Sequence, residues 1–196
     1  FEAVPESADM TDETKYVKVK GDIEISATVD VPSNKNIMLV AAEDATIKRA
    51  AGFIGSMFTV NGGNLQMAGG SVTDSNGTAI GSGSLTVDGS GDGVTGSIVE
   101  VVSGNYGLTD DAVLTGNKTT GNAGAISNTA DGNVYLLGGT ITGNSATTGG
   151  AIYSEGAVSI RGTVSVTGNT VINSTPETAS NVVLDKNGII NVNGAV

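Results

Sequence analysis

Leu114-Thr-Gly-Asn117, Ile141-Thr-Gly-Asn144 and Val166-Thr-Gly-Asn169 repeat one phrase at intervals of 27 and then 25 residues. Gly149-Gly-Ala-Ile152 follows the second copy, and its relative Gly124-Ala-Ile126 follows the first. Self-similarity at this period marks a coil in which each copy is one structural turn. An apolar-Thr-Gly-Asn unit has no helical period and reads as a strand end running into a tight bend. Asn117, Asn144 and Asn169 are the expected rungs of an amide ladder, because Asn tolerates left-handed backbone and its amide can bond the next Asn. Gly116, Gly143 and Gly168 give the backbone its freedom just before each rung, and Gly149 and Gly150 mark a further turn.

Outward from the phrase the same pattern extends. Tyr16–Lys20, Asp22–Ser26 and Ala27–Val31 alternate apolar and polar residues with period two, the signature of strands with one buried face. Pro32–Asn36 is a bend, Ile37–Ala41 a fully apolar strand, and Ala45–Arg49 alternates again. Ala50–Met57 reads as a short helical turn or bulge, and Gly89–Gly96 as an outward loop. Gly69-Gly-Ser-Val-Thr73 with Ala79-Ile80 aligns with Gly138-Gly-Thr-Ile-Thr142 and Gly150-Ala-Ile152, so the repeat is expected to begin there. Strands of three to five residues between Gly, Asn and Ser gain a sizeable core only by stacking in register at roughly 4.8 Å per turn. The expected fold is all-β: a single right-handed parallel β-helix, or β-solenoid, of roughly seven turns over residues 16–196. Residues 1–15, with five acids in the first thirteen, read as an arm or cap.

Composition bounds the chemistry. The chain has 196 residues, 30 Gly and only 3 Pro, which excludes a collagen-like or Pro-rich disordered class. With 9 basic against 20 acidic residues the net charge is −11, an unfavourable balance for nucleic acid or an anionic membrane surface. No apolar run approaches the roughly 20 residues of a spanning helix, so membrane insertion by this chain is not expected. There is no Cys and no His, which removes thiolate metal sites and the commonest general base. The start at Phe1 is that expected of a processed or excised segment.

The pairing of apolar-x-x-Asn with Gly-Gly-Ala-Ile, from Gly69 to about Asn193, resembles the repeats of chlamydial-type polymorphic outer-membrane proteins. It is similar also to the Gly-Gly-Thr-Ile-Thr-Gly-Asn arrays of large Gram-positive surface proteins. Leu114, Ile141 and Val166 stand where the first family carries Phe, and the first Gly-Gly-Ala-Ile is reduced to Ala123-Gly-Ala-Ile126. The resemblance implies a right-handed, pectate-lyase-like β-helix and a cell-surface, adhesive or scaffold role.

The expected function is therefore a non-catalytic extracellular structural or adhesive surface protein of bacteria, self-associating through the coil ends into a filament. The apolar run Ile189–Val196 supports that expectation, since an uncapped coil end is a template for another chain. A surface glycan or protein of host or microbe is the expected partner; no cofactor is expected. The alternative is a polysaccharide-active or glycan- or calcium-binding β-helix. For it, Asp110-Asp111 is the one adjacent Asp-Asp pair, with Asp88 and Asp92 as neighbours that stacking could bring near. Asp88-Gly-Ser-Gly-Asp-Gly93 has the composition of a metal loop without a terminal Glu. Tyr106, Tyr135 and Tyr153 are candidates for an aromatic stripe. Asn76-Gly-Thr78, Asn117-Lys-Thr119 and Asn173-Ser-Thr175 match glycosylation sequons. Thr140-Ile-Thr142 hints at an ice-binding rank that Val164-Ser-Val166 is expected to break.

Overall fold

The computed structural model describes residues 2–3, 14–109, 111–172 and 177–192. Among these residues there is no helix. The chain winds as a parallel β-solenoid of about six turns.

One long sheet stacks Lys15–Val19, Asn36–Ala41, Phe58–Ala68 and Val99–Leu108 in parallel. Beyond Val99–Leu108 each strand breaks in two at a corner, giving Ile126–Asn128 with Gly132–Leu136 and Ile152–Ser154 with Ala157–Ile160. Val182–Leu184 and Ile189–Val192 complete this sheet. The second sheet has six strands: Ile23–Ile25, Ala45–Arg49, Leu85–Asp88, Ala112–Thr115, Thr140–Thr142 and Ser165–Thr167.

Period-two alternation turns one apolar file of each sheet inward. In the second sheet that file is Ile23, Ile47, Val87, Leu114, Ile141 and Val166, each paired with the next across one turn. Facing it, Leu65, Tyr106, Val134 and Val158 form a file in the first sheet. Most of these side chains are fully buried, each contributing about 1.5–3 kcal/mol of hydrophobic stabilisation. Tyr106 is the one aromatic of these two files, and the inward position of the Thr-Gly-Asn phrase is aliphatic in all three copies.

The turns are unequal. The outward Asn105 amide reaches Asn64, 41 residues earlier, whereas consecutive rungs later in the chain lie 27 and 25 residues apart. The long turn uses up the length of a seventh coil. Its surplus is an outward excursion that corrects the expected repeat start: Val72–Thr73 pairs antiparallel with Ala79–Gly81. The tip closes through Asp74, whose backbone N–H donates to Thr78 O at 2.9 Å and whose carboxylate accepts from Asn76 and Thr78 N–H. Ile80 of this hairpin packs on Val40 and Ala68, a small second core edged by Tyr16, Met38 and Val72.

Ala50–Met57 is turn and bend rather than helix. Within Gly89–Gly96, Val94 turns back into the molecule, 1% exposed, and bridges Thr119 of the next coil, so this segment is only partly an outward loop. Of the expected N-terminal arm, residues 1 and 4–13 lie outside the described residues. The backbone of Glu2–Ala3 runs antiparallel to Lys15–Val19, with Glu2 opposite Lys18.

Candidate functional site

Each Thr-Gly-Asn phrase folds in one way. Thr115, Thr142 and Thr167 end their strands facing outward. Gly116, Gly143 and Gly168 take φ of +76°, +67° and +67°, a region a Cβ disfavours. The chain then turns Asn117, Asn144 and Asn169 inward, where they are at most 1% exposed.

The three asparagines are joined across consecutive turns. Asn117 N–H donates to Asn144 Oδ1 at 3.1 Å, and Asn144 N–H to Asn169 Oδ1 at 3.0 Å. Asn144 Nδ2 also donates to Leu114 O and Thr142 O, and Asn169 Nδ2 to Ile141 O and Thr167 O, all at 3.0–3.1 Å. The amides thus satisfy carbonyls and N–H groups that the corner removes from the sheets, where each unpaired buried group costs about 1–3 kcal/mol. Gly149 and Gly150 allow the backbone approach this requires. A Cβ on Gly149 would lie 2.3 Å from Ile152 O, and one on Gly150 2.5 Å from Thr170 N.

Two residues extend the stack beyond the repeated phrase. Asn181 Oδ1 accepts from Asn169 Nδ2 at 3.0 Å, although it lies only 12 residues further on. At the other end Arg49, 5% exposed, donates to Asn117 Oδ1 at 3.3 Å. The guanidinium also donates to Gly89 O at 2.9 Å, to Phe53 O and to Gly55 O, and lies 5.2 Å from the Phe53 ring centre. Burial lowers its pKa from the ordinary value, but an arginine remains charged. Among the described residues no carboxylate pairs with it; carbonyl dipoles and the aromatic face hold the charge. Strand parity could have found it, since Arg49 shares the inward parity of Ala45 and Ile47. No signal marked Asn181.

The acidic candidates do not converge among the described residues. Asp110 lies outside them. Asp111 is exposed at a turn with φ +54°. Asp88 Oδ1 accepts from Ser90 N–H and Oγ–H at 2.9 and 2.6 Å, so this end of the Asp88–Gly93 segment is an Asx turn. No three acids among the described residues lie close enough to share a metal ion.

The tyrosines form no stripe. Tyr106 is wholly buried, its hydroxyl 3.4 Å from Met67 Sδ, and burial raises its pKa. The exposed Tyr153 hydroxyl donates to Asp185, a bond that holds the phenol up at about 12 and keeps the carboxylate below its usual range. Tyr135 is 39% exposed on a different file of the same sheet. Among the sequons, Asn117 is buried and inaccessible, Asn76 is exposed at the hairpin tip, and Asn173 lies outside the described residues. On the second sheet Ser165 and Thr167, rather than Val164 and Val166, stand beside Thr140 and Thr142. Val113 interrupts the hydroxyl rank instead.

A groove of about 510 Å³ lies between the hairpin and the following coil, with Gln66, Thr73, Thr109 and Asp111 among its lining residues. An outer row of amides runs beside its floor: Asn36, Asn64, Asn105 and Asn133 occupy one register position over four turns. Asn105 Nδ2 donates to Asn64 Oδ1 at 2.6 Å. No family profile matches the chain, and neither curated proteins nor solved structures give a significant match.

Proposed function

We propose that the chain is a non-catalytic structural and adhesive module of a bacterial cell surface, a rod segment that associates end to end. The observation that supports this most is the unbroken aliphatic file from Ile23 to Val166, which fills the axis through six strands. Such a file gives stiffness and reach and leaves the outer faces free to vary. The Thr-Gly-Asn and Gly-Gly-Ala-Ile phrases add their resemblance to polymorphic outer-membrane and Gram-positive surface repeats of the pectate-lyase-like kind. End-to-end association is supported by the last described turn, where Leu184, Ile189, Ile190 and Val192 are 39–59% exposed on one coil. A second copy covering that turn would extend the first sheet in parallel.

Two measurements test the proposal. Negative-stain microscopy at neutral pH is expected to show rods that lengthen with concentration; uniform monomers at high concentration would contradict association. Lyase and hydrolase assays on acidic polysaccharides, with and without calcium, are expected to show no turnover. Turnover lost on Asp111→Asn would contradict the non-catalytic reading.

A further inference from the structure

Gly107 differs from most glycines of this coil. Gly104, three residues earlier, has φ +86° and a site where a Cβ would meet Gly63 O at 2.3 Å. At Gly107 φ is not positive, and a Cβ would touch only the Gln66 side chain, at Cγ 3.4 Å, Cβ 3.8 Å and Cδ 3.9 Å, all ordinary contacts. Neither backbone geometry nor packing requires glycine there, and glycine in a strand interior costs about 0.5–1 kcal/mol against alanine. The register is regular from Asn105 to Leu108, so Gly107 is not a bulge, and close approach to the backbone is a further use of glycine in a strand.

The surroundings say what approaches. Gly107 lies on an outward file between Gln66 on one side and Tyr135 on the other. Those two backbones are thus about 10 Å apart, two inter-strand steps. The gap is a saddle floored by the Gly107 backbone, with the Gln66 stem along one wall and the exposed Tyr135 at the opposite rim. On the neighbouring file Asn105 and Asn133 present amides. Among the described residues, the side chains of Gln66 and Asn133 and the Tyr135 hydroxyl have no hydrogen-bonding protein partner. On its other flank the saddle opens toward the groove holding Thr73, Thr109 and Asp111.

We infer that this saddle binds one pyranose unit of a neutral glycan, its apolar C–H face on the Tyr135 ring and its hydroxyls on the Gln66 and Asn133 amides. A rigid aromatic face with amides of both donor and acceptor character matches a sugar ring, which is apolar on its faces and polar at its edge. Asp111 in the adjoining groove and the net charge of −11 disfavour an acidic sugar. The inference deepens the adhesive part of the proposed function and rests on it.

The test is affinity electrophoresis of the full chain through gels containing a soluble β-glucan, a galactomannan or a xylan, with polygalacturonate as the acidic comparison. Retardation is expected in at least one neutral gel and not in polygalacturonate. Tyr135→Ala should weaken it by about tenfold, and Tyr135→Trp should preserve it. Gly107→Val should abolish it by filling the saddle while leaving Tm unchanged or raised, since an outward strand position accepts valine. Thr167→Ala on the other sheet should change nothing. Absence of retardation in every gel, retardation in polygalacturonate alone, or retardation that survives both Tyr135→Ala and Gly107→Val would overturn the inference. Polysaccharide length after incubation separates the two readings: shortening with Tyr135-dependent retardation keeps the saddle and sinks the non-catalytic reading. Loss of binding alone sinks the saddle and leaves the structural role standing.

Discussion

The coils from Ala112 to Val171 and the coil that precedes them solve the same problem with different residues. In the later coils a buried Asn closes each corner, held by a glycine at positive φ. In the earlier one the corresponding space after Leu85–Asp88 is filled by Arg49 from the adjacent strand, and before Leu85, at the other corner, the backbone departs into a hairpin. The comparison teaches that the corner demands donors aimed inward at stranded carbonyls, rather than any one residue. Asn supplies them with a short neutral side chain within its own turn. Arg supplies more of them over a longer reach, at the cost of burying a charge. The repeated solution is visible as periodicity; the single one is not.

Substitutions sharpen that contrast. The largest effect is expected for Asn144→Ala, which strips Asn117 N–H, Leu114 O and Thr142 O of partners at once. A loss of about 3 kcal/mol or more is expected in urea unfolding. Arg49→Met comes next, at about 2 kcal/mol, because the charge leaves together with its donors and the thioether chain refills part of the space. Its effect should be local: limited proteolysis should cut within 89–96 in Arg49→Met and within the later corners in Asn144→Ala. Equal cutting patterns would erase the distinction between the two regions. Gly143→Ala should cost about 1 kcal/mol, mainly through left-handed backbone, with a tight contact at 3.3 Å to Thr115 Oγ1 that a side-chain rotation relieves.

The smallest effect is expected on the surface where the long turn meets the coil before it. Asp44 accepts from Ser84 N–H and Oγ–H, both at 2.9 Å, and these bonds hold its carboxyl below the ordinary 3.8. A depressed folded-state value stabilises the fold above the unfolded pKa and ceases to do so as pH falls through the folded one. Asp44→Asn should therefore lower Tm slightly at about pH 7, and the gap should close at about pH 2. A gap that persists in acid would show that the carboxylate charge is not its source.

Legibility followed the same divide. The period of the Thr-Gly-Asn phrase carried the parallel stacking, the inward file and the three buried asparagines. These follow from short-range rules that each coil repeats. Gly69–Ile80 misled because Gly-Gly-Ser-Val-Thr shares its letters with the strand entry Gly-Gly-Thr-Ile-Thr. The distinguishing mark was Asp74-Ser-Asn-Gly77 between Val72 and Ile80, a turn signal flanked by apolar residues. Arg49 was readable by parity but not by residue type, as arginine on an alternating strand usually faces water. The Gln66–Gly107–Tyr135 saddle could not be read, because its members come from three coils of unequal length and meet only through register.

Register is thus the claim on which the rest stands. The chain has no cysteine, so paired nitroxide labels can be placed cleanly. Glu24 shares one outward file with Thr115, Thr142 and Thr167, three, four and five steps away. Electron-spin distances from position 24 should rise in that order by about 5 Å per step, from about 14 to about 24 Å between backbones. Distances that fail to rise, or that rise with sequence separation instead of turn number, would contradict the stacked coil.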